Sequence, residues 1–297
     1  MLAAVAQLGY VAHAGARALT LRRSGTVGVV VPTIDNAIFA RGLQAFQRRM
    51  ARAGQGVLLA FSDYDPAQEE AQVQALLARG VDALALTGIS QRPELLARLA
   101  RRGLPWVHTG AFPARAGAAC VGFPNRAAIM RAVHYLLHLG HRRFGMVAGA
   151  GLALAPVHLC ESRYTLADAR GATACILAAA PAPTALLCGN DVLAFGVLLE
   201  CAARGLDVPG EVSVVGFDDL DLARQWRPAL TTVHVPTEAM WTQAADYLLA
   251  RLDGSLAVPQ QREIALDLVV RGSTGPAPAA PGLRTTAQPR PAARRDR

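Results

Sequence analysis

The sequence contains no lysine; all 30 of its basic residues are arginine. That uniformity reads as genomic base composition rather than as a mechanism. Cysteine is scarce and unpatterned. Cys120, Cys160, Cys175, Cys188 and Cys201 are odd in number and no two are spaced C-x-x-C. Metal and disulfide readings are therefore weak, and most of the five sit in apolar runs as small core residues, as in a reducing compartment. No apolar run reaches the length of a membrane span. Met1–Tyr10 has no basic n-region and too short an apolar core for a signal peptide. The expected location is cytoplasmic, with no membrane partner. Catalytic signatures are missing too: there is no P-loop, no G-x-S-x-G and no H-E-x-x-H. His134, His138 and His141 fall at helical spacing near a helix end, but no carboxylate accompanies them, so a solvated face or a helix cap is the better reading than a metal site. The chain is expected not to be an enzyme and to need no cofactor.

What is present is an apolar, alternating α/β pattern. Hydrophobic residues make up 52% of the 297 residues and the mean hydropathy is +0.25, which suits buried parallel sheets and two compact lobes. The net charge of +8 lies mostly at the ends. Residues 1–24 hold Arg17, Arg22 and Arg23 and no acid; residues 276–297 hold five arginines against Asp296. A basic N-terminal arm is a candidate nucleic-acid contact, and a basic tail is a solvated extension.

The organising stretch runs from Thr184 to Asp219. Ala185–Cys188 is an apolar strand that ends at Gly189. Asn190 and Asp191 can cap the helix over 192–204, which Gly205 stops. Val212–Phe217 is a second apolar strand, closed by Asp218 and Asp219. Two buried strands joined by a helix make a parallel β-α-β unit, and ligands of such sheets sit at the carboxyl ends of strands. Asn190 and Asp218 stand there without a nucleophile beside them, which points to binding rather than chemistry.

Strands are also expected at 26–32, 55–61, 81–86, 104–108, 118–123, 142–148, 157–160, 230–235 and 264–271, and helices at 38–53, 94–102, 125–139 and 238–252, with another opened by Pro66. One interval does not fit. Only Gly149–Pro156 separates two expected strands, whereas a parallel crossover needs about a dozen residues. Either those strands are not parallel neighbours or a helix is missing.

Nine segments in this order and spacing resemble the LacI/GalR family of bacterial transcription regulators. They are LGYVAHAGARAL, SGTVGVVVPTIDNAIFA, SDYDPAQEE, LLARGVDALALTG, HLGHRRFGMVAG, PTALLCGNDVLAFG, VPGEVSVVGFDDLDLA, PALTTVHVP and EIALDLVVRGST. The SDYDP and NDVLAFGVLLEC wording is similar to gluconate-type members. The resemblance implies an α/β fold, a two-lobed periplasmic-binding-protein-like core of two doubly wound parallel sheets with a remnant helical DNA-binding head and hinge helix. It places the head and hinge at 1–24, one lobe at 25–122 plus 236–254, the other at 123–235 plus 255–275, and a disordered tail at 276–297.

It also implies a homodimer, with an interface on the helix face around Gln68–Leu77, that binds operator DNA under control of a sugar or sugar-acid effector held between the lobes. Carried over by position, Asn36, Ile38, Phe39, Tyr164, Asn190 and Asp218 are the effector contacts, and Tyr10, His13, Arg17 and Leu19 the DNA contacts, Leu19 as the apolar wedge of a hinge helix. Two departures stand out. The family's helices before LGY, the major-groove reader among them, are not in the sequence, and a second-lobe helix bearing a pocket arginine would fall in the short interval. The alternatives are a free sugar-binding protein and a remnant that no longer reads an operator.

Overall fold

The computed structural model describes residues 23–89, 91–112, 118–149, 159–162, 164–255 and 260–278. The first sheet is built from β1 (Thr26–Val31), β2 (Gly56–Phe61), β3 (Ala83–Thr87), β4 (Trp106–Thr109), β5 (Cys120–Gly122) and β11 (Gln261–Glu263). Its order is β11-β5-β4-β3-β1-β2 and every pairing is parallel. The second comprises β6 (Phe144–Gly149), β7 (Leu159–Ser162), β8 (Ala185–Cys188), β9 (Ser213–Asp218), β10 (Thr231–His234) and β12 (Asp267–Val269), in the order β12-β10-β9-β8-β6-β7. Only β12 runs antiparallel there, against β10. Continuous apolar runs make the central strands: β1, β3, β8 and β9 are buried almost throughout, as strands covered on both faces must be.

Helices complete both sandwiches. On the first sheet, α1 (Ala37–Arg52) and α8 (Thr237–Leu252) fill one face, and α2 (Pro66–Ala78) and α3 (Pro93–Arg101) the other. On the second, α4 (Asn125–His138) packs one face, and α5 (Leu166–Leu177) and α6 (Asp191–Ala203) the opposite one; α7 (Asp221–Gln225) is short. The chain crosses between sheets after β5, after β10 and between β11 and β12.

Some expectations change. Of the strand expected at 264–271 only β12 (Asp267–Val269) forms, on the second sheet; β11 (Gln261–Glu263), which was not expected, precedes it on the first sheet, and Ile264 donates its N–H to the Gly122 carbonyl and is buried with Leu266 in the first core before the chain leaves it. The segment from 255 onward therefore does not all belong with the second sheet. Helix α5 was not foreseen. Its buried positions are Ala169, Ala172, Thr173 and Ile176, and alanines and a threonine carry little periodic signal. The tail does not begin at 276: the Ala277 N–H bonds the Leu139 carbonyl at 2.8 Å. The expected helix near His13–Leu21 lies outside the described residues.

The short interval has an answer as well. β6 and β7 are parallel neighbours in register Met146↔Leu159 to Gly149↔Ser162, and residues 150–158 alone connect them. The reading that these strands are not parallel neighbours therefore falls, and the connection itself lies outside the described residues.

The tightest helix contact in the first lobe is α1 on α8. Gly42 makes room for Trp241: a Cβ there would stand 2.1 Å from the indole. Phe46 meets the same indole edge-on, with ring centroids 5.8 Å apart. Gly42→Ala is expected to cost about 1–3 kcal/mol through overpacking, read as a lower urea midpoint at unchanged slope.

Candidate functional site

The carboxyl ends of β1, β3, β4, β8 and β9 converge on a cavity of about 260 Å³ between the two sheets. All six residues expected to touch an effector line it: Asn36, Ile38, Phe39, Tyr164, Asn190 and Asp218. Tyr10, His13, Arg17 and Leu19 lie outside the described residues.

Each polar wall residue is placed by a local structural job. Asn36 caps α1, accepting from the Ile38 N–H at 3.2 Å. Asn190 caps α6, accepting from Leu193 N–H at 2.8 Å through Oδ1. Capping uses only the oxygen, so the buried Asn190 Nδ2 has no partner. The same holds for the Thr109 hydroxyl at the end of β4, which is 0% exposed. Two unpaired buried polar groups facing one cavity are costly unless something fills it. Phe39 and Ile38 pack against the first-lobe core and line the cavity as well.

Asp218 ends β9 with a φ of +114°, and Asp219 follows at +56°. Left-handed backbone at two consecutive non-glycine residues costs of order 1–3 kcal/mol each and survives only where neighbours over-determine it. They do. Asp219 accepts from Arg271 Nη2 at 2.6 Å and meets His234 Nδ1 at 3.1 Å. The Asp191 carboxylate accepts from the Leu220 N–H at 2.7 Å and from Thr232 Oγ1 at 2.6 Å. Gly216 permits this, since a Cβ there would lie 2.2 Å from Asp191 Oδ1.

The strained turn aims the Asp218 carboxylate at the cavity, where among the described residues no side chain or N–H donates to it. Burial pushes its pKa well above the usual range, and the nearby Asp191 pushes the same way against the field of Arg41. Burial likewise raises Asp191 to about 7, opposed by its bonds from Thr232 and Leu220.

The mouth is spanned by an aromatic pair. Tyr64, from the turn after β2, stacks on Tyr164, just before α5, with centroids 5.0 Å apart and planes 27° apart. Tyr64 has a φ of +61° and Asp63 before it +49°, left-handed values that mark a tight turn. Burial raises both phenols, and Asp218 adds to each shift. Arg41 on α1 reaches Asp221 on α7 at 2.7 Å, a second contact between the lobes.

Sequence reasoning missed Tyr64, Thr109 and Trp241, all of which line the cavity. Only the strand-end position of Thr109 carried a usable signal. Trp241 sits on a helix that returns from the second sheet, and nothing local announces that return. Among the described lining residues Asp218 is the one charged group, and no group of three or more metal-ligating side chains forms among the described residues.

Comparison with known proteins places this geometry. A family model described as a periplasmic binding protein-like domain matches residues 149–274. An uncharacterized HTH-type transcriptional regulator in the aml 5' region of Streptomyces limosus is 33% identical, over 92% of this chain and 85% of its own length. That alignment runs over 304 positions, more than the 297 residues here, so the relative carries residues with no counterpart in this chain. The solved structure of the transcription regulator GntR from Chromobacterium violaceum is 28% identical, with a TM-score of 0.78 over 84% of this chain and all but 1% of that one, since 99% of it is covered. A transcriptional regulator CelR–cellobiose complex is 25% identical, with a TM-score of 0.73 over 91% of this chain and 88% of that one.

The two raised carboxyls set a pH dependence. Folded Asp191 keeps its proton to about pH 7, while its ordinary value is 3.8. Between those values the folded state binds the extra proton, so stability is full at the acid end and falls as pH rises through the window. Asp218 acts in the same direction. Asp191→Asn is expected to flatten that decline by up to about 1.4 kcal/mol per pH unit, measured as melting temperature against pH from 4 to 8.

Proposed function

The chain is a member of the LacI/GalR family of transcriptional regulators, a DNA-binding regulator by kinship, and we propose that its effector is an uncharged polyhydroxylated sugar bound in the cleft between the lobes. The observation that carries this reading is the lining of that cleft. It offers a carboxylate at Asp218, an amide donor at Asn190, a hydroxyl at Thr109 and apolar rings from Phe39, Tyr164 and Trp241. Carboxylate and amide suit adjacent hydroxyls of a sugar, and flat apolar walls suit its C–H face. A sugar acid is the less favoured effector, because no cation among the described lining residues would meet its carboxylate beside Asp218. The related CelR structure in complex with cellobiose supports a sugar in this family's cleft.

Control would follow from differential affinity. A ligand bridging Asn36 and Phe39 of one lobe to Asn190 and Asp218 of the other favours the closed arrangement, and that bias passes to a homodimer and its DNA contacts at Tyr10, His13, Arg17 and Leu19. The dimer face is proposed on α2, around Gln68–Leu77, where only Glu69, Val73 and Leu76 of the helix are buried within the chain. The lobe limits 25–122 plus 236–254 and 123–235 remain part of this proposal, with 255–275 divided between the two sheets.

The test is a thermal melt of the full chain with neutral mono- and disaccharides and, in parallel, their aldonates. One neutral sugar is expected to raise the midpoint, by the equivalent of ~2.7 kcal/mol at a hundredfold excess over its dissociation constant, and Asp218→Asn to abolish the shift. A rise with aldonates alone, or none with any sugar, overturns the reading. Hydroxyls donating to Asp218 stabilise its ionised form and lower its raised pKa. Binding should therefore release a proton and tighten as pH rises, seen by calorimetry in buffers of different ionisation enthalpy.

A further inference from the structure

A second cavity lies at the end of the first lobe opposite the effector cleft. It holds about 190 Å³ and is walled by the start of β4, the last turns of α8 and the segment just before β11. β4 and α8 each reach both cavities. Thr109 at the end of β4 and Trp241 near the start of α8 line the cleft, while Trp106 at the start of β4 and Tyr247 and Arg251 toward the end of α8 line the second cavity. Tyr247 and Arg251 are four residues apart, so they stand on one face of the helix. The next carbonyl, that of Leu252, accepts from Arg23 Nη2 at 2.6 Å, which puts the cavity beside the base of the basic N-terminal arm.

The free hydrogen-bonding capacity here is on the donor side. Arg251 is the one charged group among the described lining residues. It is half-buried, and the one bond of its guanidinium among the described residues is a long 3.4 Å contact from Nη1 to the Ser255 carbonyl. Tyr247 is 5% exposed, and its hydroxyl has no partner among the described residues. Burial pushes that phenol up against the opposing field of Arg251, so it keeps its proton and can donate. The buried Trp106 Nε1 likewise has no partner among the described residues. The nearby acceptors are spent: the Pro105, Ala119 and Gln260 carbonyls accept from the Leu84, His108 and Cys120 N–H groups. An unpaired buried indole N–H is costly. Three donors, one of them cationic, with no acid in the lining suit a group that only accepts.

We propose that this cavity is an oxyanion site of the phosphate class, with Arg251, Tyr247 and Trp106 as its donors. A tetrahedral phosphate presents acceptor oxygens in several directions, which matches donors arriving from a helix and a strand, and a guanidinium gives it paired hydrogen bonds as well as charge. Bound there, the anion ties the end of α8 to the start of β4, and both elements run on to the effector cleft. Two sources share this chemistry: a free phosphorylated small molecule and a backbone phosphate of duplex DNA.

The test is calorimetric titration of the full chain with inorganic phosphate, against sodium chloride of equal ionic strength. Saturable binding at one site is expected, with a dissociation constant of roughly 1 mM or below. Arg251→Gln is expected to weaken it by about tenfold or more and Tyr247→Phe by about fivefold, while Arg48→Gln, at an exposed position on α1, leaves it unchanged. Tyr247→Phe removes one oxygen and keeps the packing, so it tests the site even should Arg251→Gln fail to fold. In NMR spectra the Trp106 indole N–H signal, assigned through Trp106→Phe, should move as phosphate is added. A short duplex of random sequence separates the sources: displacement of phosphate by the duplex assigns a backbone phosphate, and undisturbed binding a free one. No saturable binding, binding that survives both cavity variants, an equal loss with Arg48→Gln, or an unmoved Trp106 signal overturns the proposal. None of these readouts involves the cleft, so their failure leaves the sugar assignment standing.

Discussion

A single buried carboxylate ties the second lobe to its binding edge. Asp191 opens α6, and its oxygens hold the Leu220 N–H beyond β9 and the Thr232 hydroxyl on β10. Helix, loop and neighbouring strand thus share one anchor, 0% exposed, in an environment that raises its pKa. A carboxylate in that position is stabilising only while both donors are present; without them it is an unpaired buried group of several kcal/mol. The space for it is set by the missing side chain of Gly216. Strand, glycine, capping residue and acid are therefore one device spread over the Asn190–Thr232 stretch.

That anchor is what allows the strain next to it. Asp218 and Asp219 keep left-handed backbone because Asp219 is clamped by Arg271 and His234 on one side and Leu220 by Asp191 on the other. The result is a carboxylate presented to the cleft with its hydrogen-bonding capacity unspent, opposite an asparagine that has used its oxygen on a helix cap and kept its amide free. The first lobe supplies the complementary half without a charged group: Asn36 at the start of α1, Thr87 and Thr109 at strand ends, and Phe39 and Trp241 in the wall. Closure of the mouth by the Tyr64–Tyr164 stack makes the two halves interdependent, since each ring belongs to a different lobe.

The second sheet is weaker at its outer edge than at its centre. β8 and β9 are buried on both faces, whereas β7 has one neighbour among the described residues. Helix α5 holds that edge from one face through alanines packed against α6, where Gly196 allows the Leu166 carbonyl and Ala169 to approach closely. The wall residue Tyr164 therefore hangs on the least supported part of the sheet.

The β-α repeat, the parallel sheets and the Asn190 and Asp218 strand-end groups were legible locally, because continuous apolar runs, glycine stops and capping residues each report on a few consecutive residues. Ile38, Phe39, Asn36 and Tyr164 came instead from the family resemblance, carried over by position, and all six effector candidates line the cavity. Helix α5 was not legible, because its buried face is built largely of alanine; nor was β11, because the three residues Gln261–Glu263 are all polar and carry no apolar strand signal. Tyr64, Thr109 and Trp241 joined the site only through pairings between segments far apart in the chain. By itself, then, the sequence determined the strands, the helix caps and the family, all properties of short windows. Only the tertiary structure decided which side chains share a cavity and which carboxylates lose their water, because those depend on how the chain returns to a place it has already left.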